Sequence, residues 1–264
     1  MSYRRIACLS TEAVETLYLL GAEARIAGIS GFTTRPARAR KEKPKVSGFS
    51  SAKVERILAV EPDLVVAFSD LQADIVRDLI RAGVEVHVFN QRDLAGIFSM
   101  ITALAALVDE AAAGERLVAD LRQRLAAVRA RVPGHARRPR IYFEEWNDPL
   151  ISGIRWVSEL IEAAGGEDCF APESQRRSAR ERIIVDPMEV VRRAPDIIIG
   201  SWCGKKFQLA HVRARAGWAA VPAVRDDRLY EIKSADILSP GPAAITEGLA
   251  QLERIVARWH AGNR

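Results

Sequence analysis

The chain has 264 residues, 48% apolar and 28% charged, with a net charge of +5. That length buries a core as one large domain or two ordinary ones, and the composition excludes a disordered chain. The basic patches Arg35 to Lys45, Arg137 to Arg140 and Arg176 to Arg182 carry no interleaved aromatics, which argues against nucleic-acid binding. Three widely spaced cysteines, Cys8, Cys169 and Cys203, fit neither a disulfide framework nor a zinc site, and Cys8 reads as a small core residue. No run approaches the ~20 apolar residues of a membrane span, so no membrane insertion is expected.

Met1 to Arg5 leads straight into the apolar Ile6 to Leu9, without the apolar region and cleavage site of a secretory leader. The chain as written is therefore expected in the cytoplasm, and in the periplasm if a native leader has been lost. Ile6 to Leu9 reads as a buried strand, and Thr11 to Leu20 as a helix capped by Ser10 or Thr11 and closed by Gly21. Arg25 to Ser30 is the next strand. Gly31 to Lys45, basic and carrying Pro36 and Pro44, reads as a surface loop. A helix from Ala52 to Val60 precedes the strand Leu64 to Phe68. Gln72 to Arg81 is helical, and Val84 to Phe89 alternates as a strand. Strands separated by helices predict a parallel sheet covered on both faces.

The middle of the chain differs. From Asp93 to Val132 there is no strand signal, and Ile97, Ile101, Leu104 and Val108 mark one helical face. Leu117, Leu121, Leu125, Val128 and Val132 continue at helical spacing, and Gly114 is the expected break between two helices. The second of these, about Ala111 to Val132, spans about 30 Å, enough to bridge two lobes. The second half restarts with the strand Arg140 to Glu144 and a helix from Val157 to Ala164. A polar loop, Pro172 to Glu181, leads to a helix ending at Arg193 and to the strands Asp196 to Gly200 and Arg228 to Ile232. Pro240 and Pro242 precede the closing helix, Ala243 to Trp259.

Two phrases occur twice, in the same order. Val54 to Ala67 is echoed by Met188 to Gly200: each is an amphipathic helix that stops at Pro-Asp and gives way to an apolar β-branched run. Glu15 to Glu23 is matched by Glu159 to Glu167, with glycine at the end of each. Two similar halves predict two α/β lobes, residues 1–92 and 134–264, joined by the helical segment 93–133. Lobes that face one another make a cleft, and clefts bind ligands.

Chemical motifs are scarce. His87, His135, His211 and His260 are dispersed, and no metal-ligand spacing, P-loop, Gly-x-Gly-x-x-Gly or Gly-x-Ser-x-Gly occurs. No metal site, intrinsic cofactor or catalytic residue is expected. Cys203, beside Lys205 and Lys206, reads either as a bystander thiol or as one with a lowered pKa. The lysines favour an anionic ligand group, whereas Glu144, Glu145 and Asp148 offer the opposite charge.

Five segments carry a family resemblance: Ile29 to Phe32, Pro44 to Phe49, Val54 to Ala59, Glu61 to Phe68 and Asn147 to Gly153. With the long central helix they resemble the class III substrate-binding proteins of ABC importers, and within them the cobalamin-binding, BtuF-like branch. The resemblance implies two Rossmann-like lobes with parallel sheets on one backbone helix, holding cobalamin or a related corrinoid without chemistry, as a monomer, for uptake or salvage. Haem or a metal–siderophore chelate is the near variant, and a cytoplasmic enzyme or sensor of corrinoid metabolism a third. It places ligand contacts at Phe32, Phe49 and Phe68 in the first lobe and at Trp146, its neighbour Asn147, Ser201 and Trp202 in the second. The polar residues beside them, Ser69, Asp70, Glu144, Cys203 and Lys205, are read from their place next to the strands as further contacts. Family members dock on a permease through one carboxylate per lobe. Glu55, seven residues before Pro62, matches; seven before Pro195 stands Met188, with Glu189 one step along.

Overall fold

The computed structural model describes residues 2–132, 134 and 137–262; His135 lies outside them. The chain divides into two compact units, Met1–Leu121 with Pro240–Pro242, and Arg122–Ser239 with Ala243–Arg264.

The first unit is a five-stranded parallel sheet. Its strands are β1 (Ile6–Cys8), β2 (Ile26–Ser30), β3 (Lys45–Ser47), β4 (Leu64–Phe68) and β5 (Val86–Phe89), in the order β3-β2-β1-β4-β5. Ile6 to Cys8 and Leu64 to Ala67 are apolar at every position and essentially unexposed, as strands covered on both faces must be. The helices Thr11–Leu19, Val54–Leu58, Ala73–Arg81 and Leu94–Leu107 supply the cover. Burial pushes the Cys8 thiol up to about 12, so it is an inert core residue. β3 begins at Lys45, where the expected surface loop Gly31 to Lys45 ends, and its residues carry no strand signal. It is a three-residue edge strand with a single buried side chain, Val46, too short for alternation to register.

The second unit pairs β6 (Arg140–Asn147), β7 (Leu150–Ser152), β8 (Glu167–Asp168), β9 (Ile197–Gly200) and β10 (Leu229–Glu231). Their order is β10-β9-β6-β7, with β8 also on β6. Three of the pairings are parallel, but β6 and β7 form an antiparallel hairpin, so this sheet is mixed rather than wholly parallel. Asp148 and Pro149 make the turn that reverses the chain.

The repeated phrases are junctions that solve one problem twice. At the end of each helix a residue enters the left-handed region, Glu61 at φ 46° and Ala194 at φ 44°, directly before the proline. The aspartate that follows then binds the start of the neighbouring strand. Asp63 accepts from the N–H groups of Arg4 (2.7 Å) and Arg5 (2.9 Å), ahead of β1. Asp196 accepts from the N–H of Arg140 (2.8 Å), the first residue of β6, and from the Arg137 guanidinium (2.9 Å). The glycine echo is equally literal. Gly21 (φ 72°) and Gly165 (φ 89°) end their helices in the left-handed conformation. The next N–H, of Ala22 or Gly166, returns to Leu17 O (2.8 Å) or Ile161 O (2.9 Å), the six-to-one bond of a Schellman cap.

The expected break at Gly114 falls elsewhere. The helices are Leu94–Leu107 and Ala111–Ala130, and the chain turns at Val108 to Glu110, where Asp109 takes φ 55°. Gly114 sits within the second helix because a Cβ there would lie 2.4 Å from the Ala105 Cβ of the first. Leu94–Leu107 belongs to the first unit, and the unit boundary falls inside the second helix, between Leu121 and Arg122. Gly114→Ala, which stabilises an ordinary helix interior by about 0.5–1 kcal/mol, is expected here to destabilise by about 1–3 kcal/mol. Urea unfolding should show the loss, and adding Ala105→Gly should recover much of it.

Candidate functional site

In a parallel sheet all carboxyl ends share one edge, and that edge is where α/β folds bind ligands. The loops leaving β2 and β3 put two aromatic rings there. Phe32 is 59% and Phe49 39% exposed, and their rings meet edge to face with centroids 6.5 Å apart. Exposing two such rings costs hydrophobic free energy, and the loops that hold them are tied down. Arg40 donates to Gly31 O (2.7 Å) and Thr33 O (2.9 Å), on either side of Phe32. Ser30 donates from its hydroxyl to Gly48 O (3.1 Å), joining the two loops.

Gln72 holds this edge together. It is 1% exposed, and its amide makes three bonds to three strand ends. Nε2 donates to Phe49 O (2.7 Å), after β3, and to Leu9 O (3.1 Å), after β1. Oε1 accepts from the N–H of Phe68 (3.0 Å), the last residue of β4. Gln91, buried after β5, donates to Pro240 O (2.9 Å). Sequence reasoning registered Gln72 only as the first residue of a helix. The available signal was an amide four residues beyond a wholly apolar strand.

The other expected contacts of this unit are placed differently. Phe68 is buried, with the Arg92 guanidinium 5.4 Å from its ring centroid. Ser69 is also buried and accepts from Leu71 N–H (3.3 Å), capping the turn that leads to Gln72. Asp70 is exposed and paired with Arg92 (2.8 Å). The edge also carries an acid that sequence reasoning missed. Glu12, in the first turn of the helix after β1, is buried, and desolvation pushes its pKa up to about 7. Gly241 packs on it so closely that a Cβ there would lie 2.5 Å from the Glu12 Cβ.

In the second unit the corresponding loops are more polar. Glu144 is fully buried in β6, clamped by both terminal nitrogens of Arg215 (2.6 and 2.8 Å) and by the Trp202 indole N–H (2.9 Å). That bond draws Trp202 into the core, where it meets Phe207 edge-on at 5.0 Å and is 3% exposed. Trp202 and Glu144 are both expected ligand contacts; both side chains are buried within the unit, Trp202 along the wall of a cavity. Ser201 is buried with its hydroxyl unpartnered, and Asn147 has a buried, unpartnered Oδ1 among the described residues. Trp146 is half-buried, and the exposed Lys205 sets its ammonium 4.0 Å from the ring centroid. Cys203 is exposed, but partial burial of its sulfur and the Glu145 carboxylate raise its pKa, the opposite of an activated thiol.

Of the two docking candidates, Glu55 is exposed in the first turn of Val54–Leu58. Glu189 is engaged by Arg193 (2.7 Å) and Arg192 (2.8 Å), which hold its carboxyl below the usual range.

Residues 6–235 match the family model described as periplasmic binding protein. The chain belongs to that family. It is 27% identical over 249 residues to the vitamin B12-binding protein of Vibrio parahaemolyticus, covering 91% of this chain and 85% of that one. Among solved structures it is similar to the periplasmic vitamin B12-binding protein BtuF of Vibrio cholerae. There the TM-score is 0.78 and the identity 22%, over 98% of both chains. It is also similar to a periplasmic haem-binding protein of Pseudomonas aeruginosa, with TM-score 0.81 and 20% identity over 96% and 92% of the two chains. The fold of these α/β binding proteins is thus the fold of this chain. Among the described residues of this family member, no helix is long and apolar enough to cross a membrane.

Two measurements probe the edge of the first unit. Gln72→Leu strands the Phe68 N–H and frees the Phe49 loop, and a loss of about 1–3 kcal/mol is expected in urea unfolding. Glu12 ionises near 4.5 when unfolded and near 7 when folded. Its contribution to stability is whole below pH 4.5 and is lost, to the extent of about 3 kcal/mol, as the pH rises through 7. Glu12→Gln should flatten the fall in urea midpoint between pH 5 and pH 8.

Proposed function

We propose that the chain is a non-catalytic receptor for cobalamin or a related corrinoid, serving ABC-type uptake or salvage. The observation that carries the reading is the exposed Phe32–Phe49 pair at the strand ends of a periplasmic-binding family member. Curated relatives that cover most of this chain are vitamin B12-binding proteins. A corrin ring is broad and largely apolar on its faces, and two rings held edge to face offer it a ready contact. Burial of such area is worth about 25 cal/mol per Å². Trp146, with Lys205 stacked on it, is the aromatic counterpart in the second unit.

Haem is the weaker reading. The strand-end stretches 31–34, 48–50, 69–72, 145–149 and 201–206 contain neither tyrosine nor histidine, the side chains that most often ligate haem iron. Catalysis is weaker still, because the one exposed thiol is held protonated and Glu144 is locked to Arg215. For delivery to a permease, the exposed Glu55 is the docking residue of the first unit; Glu189 would first have to leave its arginines.

Mixing the protein with cobalamin, cobinamide and haem, followed by gel filtration and visible spectra, tests the ligand. Coelution with a corrinoid is expected, and coelution with haem alone would overturn the reading. Phe32→Ala and Phe49→Ala should each weaken corrinoid binding about tenfold, or about 1.4 kcal/mol, with unfolding midpoints little changed.

A further inference from the structure

The second unit holds a cationic cavity that the aromatic contacts do not explain. It has a volume of about 620 Å³ and is lined by Trp202, Lys205, Lys206, Glu231, Lys233 and Ser234. These residues leave β9 and end β10, two neighbouring parallel strands, so they belong to the same carboxyl edge as Trp146. Three lysines line the cavity, and all three are exposed. No carboxylate among the described residues forms an ion pair with any of them. Glu231, the acid of the cavity wall, has its Oε1 engaged by the Phe207 N–H (2.9 Å), so three lysines face one carboxylate. Lys205 is oriented by two indoles, 4.0 Å from the centroid of Trp146 and 5.3 Å from that of Trp202.

Uncompensated lysines close together repel one another, and an anion relieves that repulsion while gaining charge-assisted hydrogen bonds. We propose that this cavity takes the phosphodiester of a complete corrinoid, so that Lys206 and Lys233 select cobalamin over cobinamide. The inference rests on the corrinoid reading and adds a specificity to it. Cobinamide presents the same ring but has no nucleotide loop and no phosphodiester. Aromatic contacts alone therefore cannot separate the two, whereas a cationic cavity can. Trp146 and Lys205 connect the two functions, one face toward the ring and one charge toward the anion.

Calorimetric titration of cobalamin and dicyanocobinamide, into the wild-type protein and the Lys206→Gln/Lys233→Gln double variant, tests this directly. Wild type is expected to prefer cobalamin by about tenfold or more, with a preference that shrinks as salt is raised. The double variant should lose most of its cobalamin affinity advantage and bind cobinamide within about twofold of wild type. Equal affinities for both corrinoids in wild type, or a double variant that keeps the preference, would overturn the cavity assignment and leave the corrinoid reading standing. Binding of neither corrinoid by wild type would overturn both. Titration with inorganic phosphate adds a further arm: if phosphate competes with cobalamin but not with cobinamide, the shared site is the anion's.

Discussion

A β-strand that ends inside a protein leaves peptide groups that no neighbour satisfies, and burying them unpaired is costly. The buried carboxyl edge of the first sheet meets this constraint with a single side chain, and a single side chain also serves the exposed amino edge. At the amino edge Asp63 takes the N–H groups that precede β1. At the carboxyl edge Gln72 takes what is left over from β1, β3 and β4. An amide suits that place because it donates and accepts at once, which neither a carboxylate nor a lysine ammonium does. Without Gln72 the Phe49 carbonyl and the Phe68 N–H would lose the side chain that joins them.

The two units use their carboxyl edges for different chemistry. The first presents bare aromatic rings on a scaffold of buried amides. The second turns one tryptophan inward, to a buried carboxylate already clamped by Arg215, and leaves lysines outside. A buried ion pair of this kind is retained for position more than for stability. It fixes the chain at Glu144 and Trp202, and with them the start of the lysine-bearing loop. Ser201 N–H donates to Glu144 O (2.9 Å), so backbone and side chain fix the same point.

Much of this architecture was legible in the sequence. The central strands β1, β4 and β9 announce themselves as short, wholly apolar runs bounded by helix signals, and the doubled Pro-Asp and glycine phrases mark the junctions. What escaped was short or depended on distant partners. β3, β7 and β8 have two or three residues each, at most one and a half periods of strand alternation, too few to register as a pattern. Trp202 stands among Ser201, Cys203, Gly204 and Lys205, a neighbourhood that reads as exposed; its interior position depends on Glu144, 58 residues earlier in the chain. Phe68 closes a central strand and shares the burial of that strand. Gly114 was misread for the opposite reason. A glycine in a helical pattern suggests a break, but here it admits the neighbouring helix, a contact that no local window contains.

The Pro-Asp anchors act on the amino ends of β1 and β6, at the far margin of each sheet from the rings and lysines. The aspartate anchors and the exposed rings and lysines therefore occupy opposite rims and share no side chains. A descendant of this chain is free to exchange its loop-tip residues for those suited to another cargo while its two aspartates keep the starts of β1 and β6 in place. Diversity of ligand among proteins of one shape is the natural outcome of that separation.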